Sequence, residues 1–81
     1  MNVRVRLFAR YRELAGSGSL DLDVPMSSTA LEVFDRVAER FPEMLPMRGS
    51  TLMVIDAEFV RPETEVREGD ELALIPPVSG G

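Results

Sequence analysis

The sequence predicts an α+β fold, a mixed sheet of four to five strands with one main helix packed across one face. Three observations predict it. Segments near both ends alternate with the period of half-buried strands, as in Val3, Arg4, Val5, Arg6, Leu7 and in Leu72, Ala73, Leu74. One longer stretch, about residues 29–41, carries apolar residues at helical spacing. The chain has 81 residues, enough for one modest core and too few for two, so a single helix on a single sheet is the economical arrangement.

Each element has its own signal. In the first strand Val3, Val5 and Leu7 point inward. "ARYREL" up to Ala15 supports a turn or two of helix, ended by Gly16, and "GSGS" loops the chain back. "LDLDV" alternates again, with Leu20, Leu22 and Val24 inward and Asp21 and Asp23 outward, so it completes a hairpin. "TALE", Thr29 to Glu32, is a capping box opening the main helix, and Pro42 stops it. Leu31, Phe34, Val37, Ala38 and Phe41 form its apolar stripe, expected to pack on Val3, Val5, Leu22, Val54, Leu72 and Leu74. "PEMLPMRGS" is a connector, "TLMVID" a strand and "AEFV" a turn into a short strand; "RPETEVREGD" is a polar crossing that turns at Gly69, and "ELALI" is the last strand. Met26, Met44, Met47 and Met53 are core or loop filler. This order is that of a β-grasp, the architecture of ubiquitin, in which the first and last strands lie side by side in parallel.

Composition excludes most chemistry. Cys and His are absent, so there is no disulfide framework, no thiolate or imidazole metal site and no Cys/His or Ser/His machinery. No metal site is expected. "GSGSL" lacks the Lys and the following helix of a phosphate-binding loop, and a ferredoxin cluster would need cysteines. Nine arginines against fourteen acids give a net charge of -5, which disfavours nucleic acid and favours a basic partner surface. No apolar run reaches membrane-spanning length and "MNVRVRLFAR" has no continuous apolar signal segment, so the expected location is cytoplasmic and away from membranes.

The chain reads as one domain, 1–81, with a flexible tail, 76–81. The tail is the feature that suggests a function. Pro76 and Pro77 cannot donate ladder hydrogen bonds, so the last strand should stop at Ile75 and release the six residues ending in "VSGG". Extended, they reach about 20 Å. Gly80 and Gly81 have no Cβ and can thread a narrow channel, and the terminal carboxylate, ionised at neutral pH, can attack an activated phosphate. Pro76, Pro77, Val78 and Ser79 would then be the threading segment.

With "LFARYRELAG" at Leu7–Gly16 and "GDELALIPPVSGG" at Gly69–Gly81, the sequence resembles the sulfur-carrier β-grasp proteins, and among them the small subunits of molybdopterin synthase, over essentially its whole length. It departs from many members at "IDAEFV", where Asp56 and Ala57 replace an Asn-Gly turn. The resemblance implies that Gly81 is adenylated with ATP by an enzyme related to ubiquitin-activating enzymes and converted by a sulfurtransferase to a thiocarboxylate. This would donate sulfur to cyclic pyranopterin monophosphate inside the large synthase subunit, in an assembly of two small and two large subunits. No cofactor would be bound, and the catalytic side chains would belong to the partners. A carrier for tRNA thiolation or thiamine thiazole synthesis shares every step up to the thiocarboxylate, and a ubiquitin-like protein modifier is the remaining alternative. Strand parity places Phe8 and Ile75 on the outward face near the tail root as a partner-binding pair, which Phe59 extends, and Arg12 of the family block joins them.

Overall fold

A computed structural model describes residues 1–78. Five strands form one mixed sheet: β1 (Asn2–Leu7), β2 (Ser19–Asp23), β3 (Leu52–Ile55), β4 (Glu58–Val60) and β5 (Glu71–Ile75), in the order β2-β1-β5-β3-β4. β1 and β5 are parallel at the centre, with Val5 opposite Leu72 and Leu7 opposite Leu74, and the other pairs are antiparallel. The central parallel pair is the β-grasp signature expected above.

A short helix, α1 (Ala9–Ala15), follows β1, and the main helix, α2 (Ala30–Arg40), covers the inner face of the sheet. Gly16 caps α1 in the left-handed conformation, φ 72°, its N–H donating to the Arg12 carbonyl at 2.9 Å. α2 begins with the predicted box: Glu32 N–H donates to Thr29 Oγ1 at 3.1 Å, and Thr29 N–H donates to Glu32 Oε1 at 2.9 Å. Two further amides of its first turn find partners in the polar crossing, Ala30 N–H on the Thr64 carbonyl at 2.8 Å and Leu31 N–H on that of Pro62 at 2.9 Å. Val66, the lone apolar residue in mid-crossing, is buried and anchors that segment to the core.

The core joins Val3, Val5, Leu7, Leu72 and Leu74 of the sheet to Val33, Phe34, Val37 and Ala38 of α2. Several sequence expectations need correction. Met53, not Val54, points inward on β3, because Met53 pairs with buried Leu74 while Val54 pairs with Ala73. The buried stripe of α2 is centred on Ala30, Val33 and Phe34, and Leu31 and Phe41 lie half-buried at its flanks. Leu22 is also half-buried, on the edge strand β2. "PEMLPMRGS" is a run of 3₁₀ turns, Pro42–Ser50, which buries Met44, whereas Met26 stands exposed. Asp56 and Ala57 form the β3–β4 turn with φ of 52° and 65°, the left-handed pair an Asn-Gly turn would adopt.

Candidate docking face and tail root

The outer face of the sheet, away from α2, divides into a charged half and an apolar half. On β1 and its neighbours, Arg4 donates through Nε to Asp21 at 3.1 Å and Arg6 approaches Glu71 at 3.6 Å. The hydrogen bond and charge of Asp21 raise the Arg4 pKa further, so that guanidinium stays protonated.

Register builds the apolar half. Ala73 lies between Arg6 and Val54, and Val54 lies opposite Phe59, so these four residues form one row across the sheet. In the next row Ile75 lies opposite Leu52, and Phe8, one residue beyond the Leu7–Leu74 pair, stands at the level of Ile75. Phe59 is 72% exposed, Leu52 51% and Phe8 39%, while Ile75, Val54 and Ala73 are half-buried. Apolar surface gathered on one face in this way makes it the candidate contact surface. Phe8 does not tuck beneath α1. It is the extended residue that precedes α1, and the Arg6 guanidinium lies 5.7 Å from its ring centroid.

Phe8, Ile75 and Phe59 thus share one face, as the sequence reading expected, and Leu52 and Val54 join them. Those two were missed because strand parity was misassigned on β3. Arg12 projects from α1 into a recess of about 310 Å³ beside Phe8, lined also by Arg4, Arg6, Gly18 and Glu71. The face adjoins the root of the tail: Pro76 is buried, and Pro77 and Val78 are exposed. Ser79, Gly80 and Gly81, which carry the expected chemistry, lie outside the described residues. No helix among the described residues is long and apolar enough to cross a membrane.

The chain is similar to several known proteins. The ThiS family model matches residues 5–81. The chain is 37% identical over 81 residues to the molybdopterin synthase sulfur carrier subunit of Arabidopsis thaliana, covering 100% of this chain and 84% of that one. It is likewise 37% identical to the subunit of that name from Aedes aegypti, covering 98% and 90%. Among solved structures, SAMP1 (small archaeal modifier protein 1) from Haloferax volcanii superposes with a TM-score of 0.85 at 28% identity, covering 100% of both chains. A putative molybdopterin converting factor subunit 1 from Pyrococcus furiosus gives 0.84 at 21%, covering 96% and 99%. A complex of subunits 1 and 2 of the molybdopterin-converting factor from Helicobacter pylori gives 0.64 at 20%, covering 100% of both chains.

Proposed function

Because this chain belongs to the ThiS family, we infer that it is the sulfur carrier subunit of a molybdopterin synthase. The observation that carries this reading is the full-length similarity to subunits of that name, joined to an exposed apolar face at the root of a tail ending in "VSGG". The carrier works through its terminus. ATP is the substrate of a separate adenylating enzyme, which joins the Gly81 carboxylate to AMP and releases pyrophosphate; a sulfurtransferase then supplies the sulfur that displaces AMP. The thiocarboxylate gives its sulfur to cyclic pyranopterin monophosphate, with the large subunit docked on Phe8, Leu52, Phe59 and Ile75 in an assembly of two copies of each subunit. Pro77, Val78, Ser79 and Gly80 lead the terminus into the partner's site, and Pro76 fixes where that lead begins. These steps belong to the cytoplasm. What supports the reading in the structure is an exposed apolar face that lies beside the root of the tail.

The test is intact-mass analysis after incubation with ATP, the adenylating enzyme and a sulfur source. The full chain gains the mass difference of sulfur over oxygen. A chain lacking Gly81 is shorter by about 3.5 Å, docks normally and gains nothing. Equal sulfur transfer by the truncated chain would overturn the reading. The 28% identity to SAMP1 favours a second reading, a protein modifier, in which Gly81 ends in an isopeptide on a target amine. That reading expects conjugates of higher mass, stable to thiols, in the native cell.

A further inference from the structure

An apolar face does not by itself account for the recess beside it. The chain carries a net charge of -5, yet the charged residues lining the recess of about 310 Å³ are three arginines, Arg4, Arg6 and Arg12, and one acid, Glu71. Arg4 is committed to Asp21 at 3.1 Å. Arg6 is not committed in this way: its nearest carboxylate oxygen, on Glu71, stands at 3.6 Å, beyond a good hydrogen bond. Arg12 makes no ion pair among the described residues. Its guanidinium rests over Gly18, where an added Cβ would already lie 3.4 Å from Cζ. Gly18 leaves room for that group, and the bond from Leu7 N–H to the Gly18 carbonyl at 2.9 Å fixes the loop beneath it.

We propose that this recess receives an aspartate or glutamate side chain of the protein that docks on the apolar face, held between the guanidinium groups of Arg6 and Arg12. The fork of a guanidinium matches the two oxygens of a carboxylate, and an uncommitted arginine is ready to make that pair. Arg6 and its stacked Phe8 stand where the charged half of the sheet meets the apolar half, so the pair would form at the rim of the interface, where charge sets register and association rate. The acidic net charge and Glu71 disfavour a polyanion, whereas one carboxylate fits a recess of this size. The local partner chemistry is therefore acidic, opposite to what the whole-chain charge suggests.

The inference rests on the docking reading above, and the experiment separates the two. Binding of the full chain to the large subunit is measured by calorimetry at about 0.05 M and about 0.5 M salt, a range over which exposed charge pairs lose most of their strength. Arg12→Glu and Arg6→Glu should weaken binding about tenfold at low salt and much less at high salt, with Arg12→Gln intermediate. Phe59→Ala should weaken it equally at both. Replacing the matching partner acid by Arg should restore binding to Arg12→Glu, and inorganic phosphate at millimolar concentration should leave the wild-type affinity unchanged. Both arginines are exposed, so melting temperatures should hold. If Phe59→Ala weakens binding while both charge reversals leave it intact, or if phosphate competes, the acidic-residue proposal is overturned and the docking face stands. If no variant changes the affinity, the docking face fails and the proposal falls with it.

Discussion

The Tyr11 hydroxyl meets the Thr51 hydroxyl at 2.5 Å, and Thr51 in turn donates to the Met47 carbonyl at 2.8 Å, so Tyr11 is the donor in a chain of bonds running from α1 to the 3₁₀ segment. The ring is fully buried and meets Phe34 edge-on, with centroids 6.0 Å apart. Tyr11 therefore ties the helix that carries Arg12 to the core. Tyr11→Phe keeps the ring and should cost about 1 kcal/mol in denaturant unfolding, while Tyr11→Ala should cost about 3–5 kcal/mol. Burial raises the phenol pKa. A raised native pKa means that the native state holds its proton longer than the unfolded chain, so stability should fall as pH rises above about 10. Tyr11→Phe should lack that alkaline decline.

Arg48 grips Asp35 with both ends of its fork, at 2.8 and 2.9 Å, and so fastens the 3₁₀ segment to α2. The hydrogen bond from Arg48, and then its charge, hold the Asp35 pKa below its ordinary value despite partial burial. A depressed native pKa contributes stability above the unfolded value, near about 3.9, and loses it as pH falls through the native one. With the side chains 42% and 45% exposed, solvent screens the pair, and Asp35→Asn should cost no more than about 1 kcal/mol at neutral pH. Acid titrations of stability should show a shallower decline for the variant.

These two contacts join elements that the sequence revealed to different degrees. Alternation marked β1 and β2 because polar residues stand at every second position, β5 was marked by Leu72 and Leu74 flanking the small Ala73, and "TALE" and Gly16 marked helix ends through bonds made within a few residues. Leu52 to Ile55 are all apolar, so nothing in β3 tells one face from the other; only pairing with β5 turns Met53 inward and leaves Leu52 and Val54 on the outer face. The stripe of α2 was misjudged for a related reason. Leu31, Val33, Phe34, Val37, Ala38 and Phe41 cover more of the helix than the sheet can bury, and the direction of packing decides which of them lie at the centre. Phe8 and Ile75 were legible because one follows β1 directly and the other ends β5.

The turn between β3 and β4 stores strain. Ala57 sits at φ 65°, a region that costs an L-residue with a Cβ about 1–2 kcal/mol, and Asp56 at φ 52° is better suited. Ala57→Gly should stabilise the fold by about 0.5–1 kcal/mol after the entropy that glycine adds to the unfolded chain. Ala57→Val should destabilise it by more. Thermal unfolding of the two variants checks the sign.

Leu52 and Phe59 are exposed and lie on neighbouring strands of the outer apolar face, so on the docking proposal truncating them removes area that a partner would cover. Leu52→Ala and Phe59→Ala should each weaken large-subunit binding about tenfold while changing the melting temperature little. A large fall in melting temperature, with affinity corrected for folding unchanged, would assign these residues to the fold.

Gly80→Val isolates the channel from the docking face. The substitution keeps the chain length, so the terminal carboxylate can still reach as far as before, but it adds a branched side chain next to the reacting group. If the adenylating enzyme accepts the tail through a channel that fits only backbone, the new methyls stop it short, and a displacement of about 1 Å at the attacking oxygen is enough to cost about a hundredfold in rate. Docking should be preserved, since the apolar rows and the arginine recess lie before the tail. Gly80→Ala, with a single methyl, should fall between the two. The measurement is pyrophosphate release in the presence of ATP and the adenylating enzyme, with binding affinity determined in parallel. Normal release by Gly80→Val would show that the channel tolerates side chains and that the terminal glycines serve flexibility, not fit.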